Sequence, residues 1–267
     1  MASLKIRGTE YFVNERGSGQ PLVLLHGFPL DSRVWEAQVQ ALSDQYRVIA
    51  PDLRGFGKTK STGQFSMESL ADDIHELKTQ LGVRPCALAG LSMGGYVAQA
   101  YIKKYPTDFA ALILVDTKPE ADTTEAQHNR EKMAADARSG GSKAVADQMM
   151  PKMLAPSAYV SRPQVVEKLR QIMESQDAES LAQACLAMRD REDFRSELAS
   201  IAVPVLCIYG ESDAITPPTV GQWIVSQVSH GRLAVIPGAG HMAPLEQPEA
   251  VTKAIRDFLG DCHSRRI

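Results

Sequence analysis

The chain has 267 residues, 44% of them hydrophobic and 23% charged, which is ordinary for a folded globular protein. Its formal net charge of −3 gives no electrostatic reason to expect binding to nucleic acid or to an anionic membrane. The basic pair Arg265-Arg266 is interpreted as a solvated tail. No apolar run is long enough to span a bilayer, and the first residues lack the apolar stretch of a signal peptide, so a cytoplasmic location is expected.

The four cysteines are far apart in the sequence, and no two of them form a Cys-x-x-Cys pair. Cys86 and Cys207 lie in apolar runs, as small buried hydrophobic residues do. The sequence therefore predicts neither a disulfide framework nor a zinc site.

Strands and helices alternate over the first half of the chain. We predict an edge hairpin at 6–16, strands at 21–25, 46–50, 86–89 and 111–115, and helices at 35–42, 67–81 and 96–102. The helix at 67–81 is the clearest, because its leucine and isoleucine side chains fall on one face. Such alternation predicts a parallel sheet that is covered by helices on both faces.

This alternation stops between residues 120 and 197, where the pattern predicts helices only. They lie at 125–137, 143–150, 164–174 and 179–188. Strands resume at 203–209 and 232–236, with helices at 222–228 and 248–259. We therefore predict a core formed by 1–119 and 198–267, and a helical cap formed by 120–197. The cap is expected to cover the carboxyl edge of the sheet, where ligands bind in open α/β sheets.

The stretch from Gly90 to Gly95 has the pattern Gly-x-Ser-x-Gly and lies between a predicted strand and a predicted helix. In that context the motif forms a nucleophile elbow, a sharp turn that exposes the serine hydroxyl. Ser92 is therefore the candidate nucleophile. Glycines on both sides of it relieve crowding in the turn.

A serine nucleophile needs a base and a carboxylate that orients the base. After a nucleophile elbow, the carboxylate comes first along the chain and the histidine base comes second. His241 is the candidate base, because it follows a predicted strand in a glycine-rich loop. Asp213 follows the preceding strand and is the favoured acid. Glu211 beside it and Asp116, at the end of the strand 111–115, stay open as alternatives.

An oxyanion hole requires two preorganised N–H donors. We assign them to the backbone of Met93, which follows the nucleophile, and of Phe28, in the loop after the strand 21–25. His26 in the same loop is interpreted as a structural brace. Asp52 and Arg54 are likewise interpreted as residues that hold their own loop.

These motifs together resemble the α/β-hydrolase superfamily. The resemblance rests on five segments in the expected order, namely 26–29, 52–57, 90–95, 210–213 and 240–241. Within the superfamily, the chain is similar to small carboxylesterases, enol-lactone hydrolases and perhydrolase-like arylesterases. The resemblance implies an eight-stranded, mostly parallel sheet with helices on both faces and an all-helical cap inserted after the strand 111–115.

The predicted activity is hydrolysis of a carboxylic ester through an acyl-enzyme, with a short-chain or aryl ester as substrate and no metal or organic cofactor. The serine at position 92 disfavours the aspartate-nucleophile chemistries of haloalkane dehalogenases and epoxide hydrolases. An enol-lactone is the alternative substrate, and a cap arginine such as Arg189 or Arg191 could bind its carboxylate. A non-hydrolytic binding protein is the second class of function. The sequence predicts no oligomeric state.

Overall fold

A computed structural model describes residues 2–60 and 63–264, so the tail at Arg265-Arg266 lies outside the described residues. The described part of the chain forms one eight-stranded sheet in the order β1-β2-β4-β3-β5-β6-β7-β8. The strands are β1 (Ala2–Ile6), β2 (Thr9–Arg16), β3 (Gln20–Leu25), β4 (Tyr46–Pro51), β5 (Cys86–Leu91), β6 (Phe109–Val115), β7 (Val205–Gly210) and β8 (Gly231–Ile236).

Most of the sheet is parallel, and the exceptions lie at one edge. Strand β2 pairs antiparallel with both β1 and β4. Strands β1 and β2 form an edge hairpin that begins at residue 2, four residues before the predicted start at residue 6. All other pairings are parallel. Every residue of β5 and β7 is buried, as expected for parallel strands that are covered on both faces. The predicted fold class is confirmed.

Alternate side chains of the central strands enter two separate hydrophobic clusters. Val23 and Leu25 pack in the cluster that includes side chains of α2 (Met67–Leu81), α3 (Met93–Lys104) and α8 (Pro218–Gln227). Their neighbours Leu22 and Leu24 point the other way, toward α1 (Glu36–Leu42) and α10 (Pro248–Ser264). The sheet is therefore covered on both faces.

Helix α2 has the bounds that the sequence predicts. Ser66 caps its N-terminus in a reciprocal capping box with Ser69, and Gly82 ends the helix in the left-handed conformation at φ 65°. A short 3-10 helix, Ser32–Trp35, precedes α1, and another, Arg195–Ser200, precedes β7.

Residues 120–197, all of them described, contain helices and no strand. The helices are α4 (Thr124–Met153), α5 (Ala158–Ser161), α6 (Pro163–Glu174) and α7 (Ala178–Arg189). The two helices predicted at 125–137 and 143–150 run into each other in α4, across a kink at Gly141. A last single turn, α9 (Ala243–Glu246), precedes α10. Within the described residues, no helix combines the length and the apolar character needed to cross a membrane.

Candidate active site

Ser92 lies in the sharp turn between β5 and α3, in the strained conformation φ 49°, ψ −112°. Its neighbours hold the turn on both sides, because its N–H donates to the carbonyl of Val115 at 2.9 Å and its own carbonyl accepts the Thr117 hydroxyl at 2.8 Å. A positive φ at a residue other than glycine persists only where surrounding contacts fix it. The local fold therefore presents the Ser92 side chain above the sheet edge.

The glycines of the elbow are required by close approach of the backbone. A Cβ on Gly90 would lie 2.3 Å from the carbonyl oxygen of Gly94, and one on Gly94 would lie 2.4 Å from that of Leu25. Neither contact is physically possible. The Gly-x-Ser-x-Gly pattern thus reflects tight packing within the turn, at Gly90, and of the turn against the end of β3, at Gly94.

His241 lies between β8 and α9 and is 1% exposed. Its Nε2 is 3.0 Å from Oγ of Ser92, and its Nδ1 is 2.8 Å from Oδ2 of Asp213. Because a carboxylate only accepts hydrogen bonds, Nδ1 carries the proton, and Nε2 can accept one from Ser92. The structure therefore brings together the three side chains that the sequence selects as nucleophile, base and acid.

Asp213 is 4% exposed and accepts four hydrogen bonds. Oδ1 accepts the N–H groups of Ile215 at 2.8 Å and Thr216 at 3.0 Å, and Oδ2 accepts the Thr216 hydroxyl at 2.6 Å as well as His241. Burial by itself raises the pKa of Asp213, but His241 and the Thr216 donors outweigh burial and hold this pKa below its ordinary value. The carboxylate is thus kept ionised beside the imidazole.

The two alternative acids lie in different surroundings. Asp116 is fully buried, and its Oδ1 accepts the N–H of Gly210 at 2.8 Å. Its Oδ2 has no hydrogen-bond partner among the described residues. Burial and the nearby charge of Asp213 raise the pKa of Asp116 well above its ordinary value. Glu211 is exposed and accepts the N–H of Gly238 at 3.2 Å. Of these three carboxylates, Asp213 is the one hydrogen-bonded to His241.

The loop that contains Phe28 passes directly beside the nucleophile. A Cβ on Gly27 would lie only 3.2 Å from Cβ of Ser92. Phe28 is buried, and Met93 begins α3 next to Ser92. The structure thus places both segments that were predicted to supply oxyanion donors next to the serine. Their role as donors remains a prediction.

His26 braces this loop through both of its ring nitrogens. Nδ1 donates to the carbonyl of Gly27 at 2.9 Å, and Nε2 accepts the N–H of Leu53 at 2.9 Å. Burial lowers the pKa of His26, which favours the neutral ring that this bonding requires. Asp52 accepts the N–H groups of Ser32 and Lys58, at 2.9 and 2.8 Å. These residues hold loops, as the sequence indicated.

Arg54 joins its loop to α2, because its Nε donates to Asp73 at 2.8 Å. The two arginines of the segment 120–197 that were considered for carboxylate binding are also engaged within the protein. Arg191 is buried and donates to the carbonyls of Met188 and Glu120, at 2.7 and 2.6 Å. It also pairs with Asp122 at 2.8 Å.

Arg189 forms ion pairs with Asp190 at 2.7 Å and with Glu131 at 3.0 Å. Neither Arg189 nor Arg191 is thus a free cation for a substrate carboxylate. Among the described residues, no group of three or more His, Cys, Asp or Glu side chains is arranged to hold a metal ion.

Three buried polar residues near the site were missed by sequence reasoning. Thr216 is one, and its spacing of three residues from Asp213 is the signal that could have revealed it, since Asp commonly accepts N–H groups two and three residues on. Gln176 is another: its Nε2 donates to Asp31 at 2.9 Å and its Oε1 accepts the N–H of Gly57 at 2.9 Å. The third is Glu246. Gln176 and Glu246 connect residues 120–197 to loops at the sheet edge, and no local pattern reveals such contacts.

Known proteins resemble this chain over most of its length. A sequence model described as the alpha/beta hydrolase fold matches residues 20–248. A thermophilic esterase from Thermogutta terrifontis, solved with malate bound, is 40% identical with a TM-score of 0.96, covering 98% of this chain and 100% of that one. The enol-lactonase from Burkholderia xenovorans is 28% identical with a TM-score of 0.90, covering 97% of this chain and all of that one. The 3-oxoadipate enol-lactonase 2 of Acinetobacter baylyi is 28% identical over 239 residues, 89% of this chain and 88% of the relative.

Proposed function

Since the chain belongs to the alpha/beta hydrolase family, we propose that it hydrolyses carboxylic esters through Ser92, His241 and Asp213. The observation that carries the proposal is the pair of contacts of the His241 ring, 3.0 Å to the serine hydroxyl and 2.8 Å to the carboxylate. This is the arrangement in which an imidazole can take a proton from a hydroxyl while its charged form is stabilised.

In the proposed mechanism, Oγ of Ser92 attacks the acyl carbon as its proton passes to Nε2 of His241. The oxyanion that forms accepts hydrogen bonds from the N–H groups of Phe28 and Met93. The carbon–oxygen bond to the leaving group breaks, and the alcohol departs with the proton from Nε2. Water then attacks the acyl carbon as one of its protons passes to Nε2 of His241. The bond from the acyl carbon to Oγ breaks, His241 returns the proton to Oγ, and the carboxylic acid and the free serine are released.

The helical segment 120–197 is proposed to act as a cap over this site, inserted in a core formed by 1–119 and 198–267. The hydrogen bonds of Gln176 support this placement, because they join the segment to the loops after β3 and β4. A cytoplasmic location is proposed as well. It is supported by the buried thiols of Cys86, Cys185 and Cys207, none of which is in a disulfide.

A short-chain or aryl ester is the proposed substrate, and an enol-lactone is the second candidate. The engagement of Arg189 and Arg191 within the protein supports the first, because an enol-lactone with a free carboxylate would need a cation to bind it. The likeness to enol-lactonases supports the second. Measurement of kcat/KM for acetate, butyrate and octanoate esters against an enol-lactone separates the two.

Replacement of Ser92 by alanine tests the mechanism. We expect kcat for a p-nitrophenyl ester to fall by at least about a thousandfold, because the nucleophile is lost. Ser212→Ala is the matched control, since Ser212 is an exposed serine next to Asp213. Intact mass after treatment with a fluorophosphonate should show one adduct, on Ser92. An unlabelled parent protein would favour the non-hydrolytic binding function, and an active alanine variant would refute the mechanism.

A further inference from the structure

Glu246 is a buried carboxylate that no step of the proposed mechanism uses. It ends the single turn α9, five residues after His241, and is 4% exposed. Oε1 accepts the N–H of Gly240 at 2.7 Å, and Oε2 accepts the N–H of Ala155 at 2.8 Å. One side chain thus joins the peptide that precedes His241 to the helical segment 120–197.

The two backbones that Glu246 joins are in direct contact. A Cβ on Gly240 would lie 2.4 Å from the nitrogen of Ala155 and 2.5 Å from the carbonyl carbon of Leu154. From the helical segment, the Arg162 guanidinium also donates to the main-chain carbonyl of Glu246. The histidine loop and residues 154–162 therefore form one packed unit, with Glu246 between them.

A charge in this position is costly unless its oxygens are bonded. Burial raises the pKa of Glu246 above its ordinary value. The backbone N–H groups and the Arg162 charge offset only part of this increase. A glutamine would have almost the same shape but only one acceptor oxygen, so its NH₂ group would face one of the two N–H donors. The carboxylate is the side chain of this size that can accept from both donors at once.

We propose that Glu246 is a positioning residue that holds the His241 loop and the 154–155 segment in a fixed relation. The inference rests on the proposed function of Ser92 and His241. It makes the helical segment a fixed support for the histidine at this point, so that loosening either partner displaces the imidazole. Displacement by about 1 Å can cost roughly a hundredfold in rate, and this loss falls on kcat more than on KM because substrate contacts elsewhere remain.

Glu246→Gln tests this role, with Glu211→Gln as the matched control. Both variants remove one negative charge, and both glutamates accept a backbone N–H of the loop 238–241. They differ in that Glu246 is buried and also binds Ala155, whereas Glu211 is exposed. We expect E246Q to lower kcat for p-nitrophenyl butyrate, and the rate of Ser92 labelling by a fluorophosphonate, by roughly ten- to a hundredfold. E211Q should match the parent. Hydrogen exchange should become faster in E246Q in peptides covering both 238–242 and 153–158.

If E246Q does not fold, Arg162→Gln takes its place, because it leaves the Glu246 carboxylate in place while it removes the bond to the Glu246 carbonyl and the nearby positive charge. It should slow labelling and speed exchange in 153–158 at an unchanged melting temperature. The role of Glu246 is refuted if a folded E246Q is labelled at the parent's rate. If R162Q is used in its place, labelling at the parent's rate refutes the fixed relation between the His241 loop and residues 154–162. A parent protein that is not labelled at Ser92 refutes the proposed function itself, and with it this role.

Discussion

The loops after β6 and β7 each bury one aspartate at the end of a parallel strand, yet the two carboxylates have opposite properties. Asp213 is surrounded by donors, and its pKa lies below the ordinary value. Asp116 has one bonded oxygen and one without a partner among the described residues, and its pKa lies well above that value. The two loops are close enough for the charge of Asp213 to disfavour ionisation of Asp116. Strand-end position and burial are therefore common to both aspartates, whereas the hydrogen-bond donors around each carboxylate distinguish them. The proposal that Asp213 is the acid rests on this difference and on its bond to His241.

Replacing each aspartate by asparagine tests this contrast most strongly. D213N should lower kcat by about a thousand- to ten-thousandfold, because an amide cannot stabilise the charged imidazole and favours the wrong tautomer. D116N should stay within about fivefold of the parent, since Asp116 does not bond His241. Steady-state rates on a p-nitrophenyl ester measure both. A large loss in D116N with a small loss in D213N would assign the acid to β6 instead.

The difference in stability between D116N and the parent should depend on pH. Unfolded Asp116 ionises near pH 3.9, whereas the folded protein keeps the proton to higher pH. The folded state then binds more protons, so the parent's free energy of unfolding falls as pH rises from about 4 to the folded pKa, by up to about 1.4 kcal/mol per pH unit. The asparagine variant lacks this loss. In urea denaturation between pH 4.5 and 8, the free energy of unfolding of D116N should therefore increase with pH relative to that of the parent. A constant difference would contradict the raised pKa.

Thr216→Val should lower activity much less than D213N does. It removes the hydroxyl that bonds Oδ2 of Asp213 but keeps the backbone N–H that bonds Oδ1. A hydrogen bond to a charged group is worth about 1.5 kcal/mol, so kcat/KM should fall roughly tenfold. Thr216→Ser restores the hydroxyl and should recover most of the rate. If valine and serine behave alike, the hydroxyl does not position Asp213.

Much of the core was predictable from local sequence, because periodicity and end signals agree there. Helix α2 is an example: an apolar stripe is bounded by the cap at Ser66 and by Gly82. The helical segment was predicted less accurately at its boundaries. Two separate helices were predicted at 125–137 and 143–150. The gap between them contains Gly141, whose non-helical conformation kinks α4 without ending it. The single turns α5 and α9 were missed because four residues are too short to show a period.

The candidate site was predictable as far as motifs reach. Ser92 and His241 lie in glycine-marked loops, and the structure brings both into contact with Asp213. The choice among Asp213, Asp116 and Glu211 required loop geometry, because all three occupy suitable positions in the sequence. Glu246 and Gln176 could not be found in this way. The contacts that link them to the other part of the chain include backbone N–H groups 91 and 119 residues away, and any residue except proline supplies such a group.

The bond between His241 and Ser92 spans 149 residues of chain. Contacts between residues so far apart in sequence are slow to form, because a long loop must close before they give any stabilisation. Under the proposed mechanism, hydrolysis therefore begins only after this long-range contact has formed. After dilution from denaturant, we expect helical circular dichroism to return before ester cleavage does. A nascent chain still lacking the His241 loop would hold Ser92 without its proposed base, so under the proposed mechanism the serine is not activated until synthesis has passed residue 241.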